Sequence, residues 1–340
     1  IDMQFMPARE GLEHLINELE IGAPEGEVLI TDDRYYRAFY PAETLDEVAN
    51  AKPPAGALLE GPVETIGSGK IRGSVRLDPA KDPFLVEHRL DDRPLLPVVI
   101  GMEMLCEAAA ALDPAATVVE LRNVEAMNGL RFHTDDPQTA SITAERVDEQ
   151  TVACLLSADF HTRTGALVDR DRPYLRGQVV LAAARSEIPV PRLPVPRQAW
   201  QKVSYAARGG KFFLGPPLRR LRKMIVGPTQ AWGRIAAPAL VELAGNRRDV
   251  RGWIFPSALV DACLYATGLL AWQSVQPGAH LPVSFGRIRL GTLPSPGEAC
   301  IVESSYRGRE GRTASFDFTL FGNDGRVVLA VEDYRIAWLA

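Results

Sequence analysis

Residues 82–112 read DPFLVEHRLDDRPLLPVVIGMEMLCEAAAAL. Phe84, Leu85 and Val86 have the apolar density of the end of a buried strand, and Asp91–Pro94 the composition of its turn. Pro97 suits the first position of a helix, where a missing N–H costs nothing. Val98–Leu112 then predicts a helix that is apolar almost all round, and such a helix must be wrapped by the rest of its domain. His88 falls just before this core helix, close to its free N–H groups. A base and an oxyanion site can be built side by side in such a place.

The same arrangement returns downstream. Pro256–Trp272, PSALVDACLYATGLLAW, is again an apolar helix opened by proline. Aligning Pro97 with Pro256 sets His88 against Arg247 and Met102 against Asp261. Each half therefore carries one reactive candidate where the other carries a residue unsuited to that role, the pattern of two halves sharing one site. Asp261 lies among Ala258, Leu259, Val260, Ala262, Cys263 and Leu264. An unpaired carboxylate there faces a large desolvation penalty, which raises its pKa toward that of a general acid. The plain alternatives are an outward-facing or structural carboxylate for Asp261 and a satisfied core histidine for His88.

Strand signals flank both helices. IRGSVRL, TVVELRNVEAM, QTASITAERV, TVACLLSADF and LRGQVVLAAA precede a proline-rich stretch, EIPVPRLPVPR, which reads as an extended linker. GPPLRRLRKMIV, QAWGRIAA, PVSFGRIRLG, EACIVESSYRG, RTASFDFTLFG and RVVLAVEDYRIAWL follow it. The expected fold is α+β: two curled antiparallel sheets, each around one helix. The expected divisions are a linker or the tail of an upstream domain over 1–54, one half over 55–186, a linker over 187–204 and the second half over 205–340. The first piece holds a helix ending near Gly22 and a strand, EVLITD. A chain opening at Ile1 without Met reads as one excised from something longer.

The whole chain has 340 residues, 46% hydrophobic, with a formal charge of −5. This is a soluble, core-forming composition without the basic footprint of a nucleic-acid binder. The apolar runs are too short or too interrupted to span a bilayer, and no signal-peptide pattern opens the chain. Four scattered cysteines without a CxxC pair suggest reduced core thiols in a cytoplasmic protein. His14, His133, His161 and His280 have no metal-like spacing. GxSxG, GxGxxG after a strand and the P-loop are absent. The cluster Arg219, Arg220, Arg222 and Lys223 reads as a solvated strand face, or as a surface for an acidic partner.

HRLDDRPLLP resembles the HxxxGxxxxP signature of polyketide-synthase dehydratase domains, through His88 and Pro97. FPSALVDACLY resembles that family's second signature, HPALLDxxxQ, through Pro256, Leu259 and Asp261. FFLGPPLRRLRKM resembles its YGPxF segment through Gly215 and Pro216, and LPVSFGRIRL the strand after the second helix. The resemblance covers about residues 55–340. It extends to dehydratases of iterative synthases that make polyunsaturated fatty acids or enediynes. It implies a double hotdog fold and dehydration of a 3-hydroxyacyl thioester to the 2-enoyl form. His88 would be the base and Asp261 the acid, with Val98 and Val99 amides polarising the thioester carbonyl. Pro97, Leu214, Gly215, Pro216 and Tyr265 would line the substrate site. No cofactor or metal is implied, because the substrate rides on the phosphopantetheine of an acyl carrier protein. Implied partners are that carrier and neighbouring synthase domains such as a ketoreductase; homodimerisation stays open. Asp92 replaces the signature glycine and would bring a charge toward the site. Tyr265 replaces the usual Gln or His and would orient Asp261 instead. Leu214 removes a polar wall group. Two other readings remain: a catalytically silent double hotdog that binds carrier protein, and a related cyclase or isomerase.

Overall fold

The structure is a computed structural model, and it describes residues 56–59, 63–162, 164, 166–208, 210–239, 241–245, 247–249 and 252–338. The helix and strand expected within 1–54 lie outside these residues. Strands β1 (Glu64–Gly67) and β2 (Lys70–Leu77) form a hairpin, followed by a short helix α1 (Pro83–Val86) and two short strands, β3 (His88–Leu90) and β4 (Arg93–Pro94). The first long helix, α2 (Val98–Leu112), leads into β5 (Thr117–Ala126), β6 (Gln138–Arg146), β7 (Thr151–His161) and β8 (Leu167–Ala182). The second half has β9 (Gln201–Lys202), β10 (Phe212–Leu214), β11 (Leu221–Val226), β12 (Gln230–Ala236) and a short helix α3 (Val241–Ala244). The second long helix, α4 (Ser257–Ser274), is followed by β13 (His280–Leu290), β14 (Ala299–Glu310), β15 (Thr313–Phe321) and β16 (Val327–Trp338).

Thirteen strands form one antiparallel sheet in the order β1-β2-β6-β7-β8-β5-β13-β16-β15-β14-β12-β11-β9. The halves meet at β5 and β13, where Leu121 faces Ile288 and Val124 faces Phe285. Outward from that seam each half repeats one order. The first strand after the helix is followed by the fourth, the third and the second, and then by the strand that precedes the helix. This is a double hotdog with an internal twofold. Helix α2 packs against β2, β5, β6, β7 and β8, and α4 against β11, β12, β14 and β15, so each helix is wrapped by its own half. The physical cause is composition: α2 is buried from Val99 to Ala109, and α4 has no continuous polar face. In β2 the burial alternates residue by residue, one face on the core and one in solvent.

The local expectations around His88 need three corrections. Phe84–Val86 is not a strand end: Pro83 opens a one-turn helix that buries Phe84 and Leu85. Pro97 is the N-cap of α2 rather than its first helical residue, and Pro256 caps α4 in the same way. The turn narrows to Asp91 and Asp92, with Arg93 and Pro94 already paired back onto β3. Both aspartates have positive φ, 47° and 56°, as a tight two-residue hairpin requires. Asp tolerates that region, which explains its presence where the signature has glycine. Downstream, GPPLRRLRKMIV is strand only from Leu221; Pro216–Leu218 forms a 3₁₀ turn. The proline-rich segment has no regular structure, and Leu193 N–H donates to Glu303 Oε2 (2.6 Å).

Candidate active site

His88 opens β3, which lies between β10 and β4 in a small separate sheet. Leu214 stands opposite His88, and the His88 carbonyl accepts the Leu95 N–H (3.0 Å). The ring is 5% exposed, with Nδ1 2.6 Å from the Leu95 carbonyl. A carbonyl only accepts, so Nδ1 carries the proton and Nε2 keeps its lone pair. Phe212 meets the ring edge-on, centroids 5.0 Å apart. Burial pushes the imidazole down to about 4, against weaker opposition from its backbone hydrogen bonds. At neutral pH the histidine is an uncharged base of fixed tautomer.

Asp261 sits in the second turn of α4 and is 8% exposed. Its Oδ2 has no hydrogen-bond partner among the described residues. Burial pushes the carboxyl up to about 7. The two groups have thus been moved past each other, the base below the acid, which is the arrangement acid–base chemistry needs near neutrality.

Both side chains line one cavity of about 1020 Å³ between the halves. Helix α2 contributes only its first turn, through Pro97, Val98 and Gly101, whereas α4 contributes Asp261, Leu264, Tyr265, Gly268, Leu269 and Trp272. These six positions make one stripe along α4 (i, i+3, i+4, i+7, i+8, i+11). At 1.5 Å per residue the stripe runs roughly 16 Å. The cavity is therefore a channel that follows α4 and includes His88 and Asp261 in its wall. The first helical turn leaves the Val98 N–H without an intrahelical acceptor beside the cavity.

The remaining sequence candidates divide. Pro97, Val98, Leu214 and Tyr265 line the cavity; Val99, Gly215 and Pro216 do not. Val99 is buried in the core, and its carbonyl takes the Ser257 hydroxyl (3.2 Å). Gly215 is a packing requirement: its N–H donates to the Glu87 carbonyl (2.7 Å), and a Cβ there would strike the Glu87 side chain. Pro216 starts the 3₁₀ turn, its carbonyl accepting from Arg220 (3.1 Å). Tyr265 does not orient Asp261. Its hydroxyl donates to the Ser204 carbonyl (3.1 Å) and its ring stacks on Tyr205 (4.7 Å), so it builds wall. Asp92 brings no charge to the site, since its carboxyl is 65% exposed and pairs with Arg89.

The basic cluster also changes meaning. Arg220 is buried, bonded to the Pro216 and Pro217 carbonyls and ion-paired with Glu242. Arg219 donates to the Leu214 carbonyl (2.5 Å) and the Ala206 carbonyl (3.3 Å) and lies over the Tyr205 ring, tying two cavity walls together. Only Arg222 and Lys223 form the solvated strand face. Arg247, the counterpart of His88, ion-pairs with Asp82 (3.4 Å) and is absent from the cavity wall. All four cysteines are buried and unpaired.

Three contributors carried little signal. The Leu95 carbonyl is backbone, which no side-chain pattern marks. Phe212 was visible only as an apolar residue beside the GPP segment. His280, passed over for its lack of metal spacing, lines the channel two turns beyond Asp261, its ring against Gly268.

A sequence model described as the polyketide synthase dehydratase domain matches residues 57–158, and one described as the polyketide synthase dehydratase N-terminal domain matches 183–339. No curated protein sequence matches the chain. Among solved structures, the dehydratase domain of RzxB from Pseudomonas fluorescens superposes with TM-score 0.63 at 17% identity, over 83% of this chain and 98% of that one. The CurK dehydratase, in a form with Asp changed to Asn and described as inactive, gives 0.63 at 16%, covering 84% and 99%. The CurJ dehydratase, with His changed to Phe and likewise described as inactive, gives 0.64 at 13%, covering 84% and 97%. At such identities the superpositions establish a shared fold.

Proposed function

The chain belongs to the polyketide synthase dehydratase family, and from that premise we propose that it removes water from 3-hydroxyacyl thioesters presented by an acyl carrier protein. His88 Nε2 takes the α-proton. The electron pair of the broken C–H bond forms the double bond, the β C–O bond breaks, and the departing hydroxyl leaves as water with the proton of Asp261. The Val98 amide polarises the thioester carbonyl, which makes the α-proton more acidic. Proton return from the imidazolium to Asp261 restores both groups. The reaction needs no redox step, and its products are the 2-enoyl thioester and water. The acyl chain lies along the α4 stripe, whose apolar lining suits an alkyl tail. The carrier protein and neighbouring domains of a type I synthase, such as a ketoreductase supplying the 3-hydroxyl group, are the partners of this reading.

The observation that carries it is the pair itself. A neutral imidazole with a free Nε2 and a carboxyl raised to about 7 line one cavity from opposite halves of the chain. The relatives described as inactive carry changes at one Asp and one His, the same two residue types. The test is conversion of a 3-hydroxyacyl group on carrier protein or pantetheine, read by mass as loss of one water. His88→Ala and Asp261→Asn should each lower the rate by roughly 10²–10⁴-fold. Near-normal turnover in both variants would reject the assignment.

A further inference from the structure

Two carboxyls have no part in that chemistry and yet sit at the centre of the N-terminal half. Glu103 and Glu107, one turn apart on α2, are both fully buried. Each is saturated with backbone donors. Glu103 accepts the Ile254 N–H on Oε1 (2.7 Å) and the Phe255 N–H on Oε2 (2.6 Å). Glu107 accepts the N–H groups of Ala57, Leu58 and Leu59 at 2.9–3.0 Å. The two side chains also hydrogen-bond each other, which requires a proton between them. Burial and the neighbouring Glu107 raise Glu103 well above the usual carboxyl range, so Glu103 holds that proton.

The partners of Glu103 belong to the other half and come immediately before Pro256, the N-cap of α4. The same peptide is gripped from a second side, because Arg185 Nη2 donates to the Ile254 carbonyl (3.1 Å). Arg185 also holds the Val118 carbonyl (3.0 Å) and the Gly291 carbonyl (3.3 Å), so it is anchored in both halves. One residue into α4, the Ser257 hydroxyl reaches back to the Val99 carbonyl in the first turn of α2. Ser257 and Asp261 are four apart and share a face of α4. The approach to α4 is therefore fixed by four bonds, three of them to α2 and one to Arg185, and the face so fixed carries the proposed acid. Gly252 lets the 56–57 backbone come against this approach, where a Cβ would meet the Ala57 nitrogen.

We propose that Glu103 is a positioning residue: through the amides of Ile254 and Phe255 it sets where α4 carries Asp261 relative to the first turn of α2. This rests on the acid role of Asp261. Geometry of this kind matters to rate, because a displacement near 1 Å caused by a distant change costs roughly 10²-fold. Glu107 is the internal comparison. It is equally buried, belongs to the same hydrogen-bonded pair and holds residues 57–59 instead of α4.

The experiment uses the full 340-residue chain and the substitutions Glu103→Gln and Glu107→Gln. Glutamine keeps the shape of Glu103 but offers one acceptor oxygen for two N–H donors. Glu103→Gln should lower kcat by roughly 10–10²-fold with KM little changed. Glu107→Gln should lower thermal stability and leave kcat near that of the parent. A second readout needs no turnover: the titration midpoint of the Asp261 carboxyl, followed by ¹³C NMR, should fall in Glu103→Gln and hold in Glu107→Gln. Should Glu103→Gln fail to fold, Arg185→Lys releases the Ile254 carbonyl from the more exposed side and should move both readouts the same way by less. If both Gln variants shift kcat and the midpoint equally, or neither shifts them, Glu103 is structural only and the inference falls. A protein without any turnover, whose Asp261 midpoint still follows Glu103 alone, would overturn the proposed function and leave the positioning role standing.

Discussion

The two halves match strand for strand for six strands outward from the β5–β13 seam, with β9 an extra edge strand of the second, but they use their central helices differently. Helix α2 meets the cavity only at its first turn, whereas α4 lines it through six positions over twelve residues. Two residues matched by the internal alignment show why. Met102 on α2 is fully buried in core, and Asp261 on α4 faces the cavity. The other matched pair, His88 and Arg247, divides in the same way, one in the cavity wall and the other in an ion pair with Asp82. A twofold of backbone has thus been kept while the twofold of the site has been lost. The lesson is that each half supplies what the other lacks: a buried histidine and a helix N-terminus from the first, a buried carboxyl and the long channel wall from the second.

The strongest way to break this comparison is to move the acid across the pseudo-axis. Met102→Asp, placed in Asp261→Asn, should recover none of the roughly 10²–10⁴-fold loss. It should also destabilise the protein by about 1–3 kcal/mol or more, since it buries a carboxyl without partners. Turnover and thermal unfolding measure the two effects, and regained activity would mean that the site keeps the backbone's symmetry.

A smaller effect separates the two groups by pH. The proposed reaction requires neutral His88 and protonated Asp261. kcat/KM should therefore decline as pH falls through about 4 and as it rises through about 7, the His88 and Asp261 limbs respectively. Each limb should approach a tenfold change per pH unit beyond its midpoint. An upper limb located well above pH 8 would point to a different acid.

How much of this was legible in the sequence depends on which physical signal each part left. The two helices announced themselves because a helix wrapped by a sheet is apolar on every side, and a proline stands at the start of each. The strands of each half were visible as period-two or apolar runs. His88 and Asp261 stood out because a reactive group in an apolar stretch is conspicuous. The failures are of another kind. Phe84–Val86 was apolar enough for a strand, but Pro83 favours a helical turn, and one turn is too short for periodicity to decide. Gly215 and Pro216 belong to a recognisable motif, yet whether a motif residue faces the cavity depends on packing against Glu87. Arg220 looked like surface because arginines usually are, and only the chain fold brings Glu242 to it. Glu103 and Glu107 were in plain view, two carboxyls one turn apart in an otherwise apolar helix. The apolar count of that helix hid them, although buried charge is a stronger signal than buried leucine.

The smallest expected effect is one of stability, and it tells the halves apart without any substrate. Asp261 has its folded-state pKa raised from 3.8 to about 7. The folded protein therefore holds this proton more tightly than the unfolded chain. The cost of ionising the buried carboxyl grows as pH rises through that interval and is complete above pH 7. His88 has its folded-state pKa lowered from 6.5 to about 4, so it removes stability in the opposite direction, as pH falls through that interval. Asp261→Asn abolishes the first effect and leaves the second. The variant should unfold at higher temperature than the parent at pH 8, with an advantage of about 1–3 kcal/mol. That advantage should shrink steadily toward pH 4, where both side chains are neutral. A difference between the two proteins that does not vary with pH would show that the Asp261 carboxyl is solvated, and the contrast between the halves would then lose its electrostatic basis.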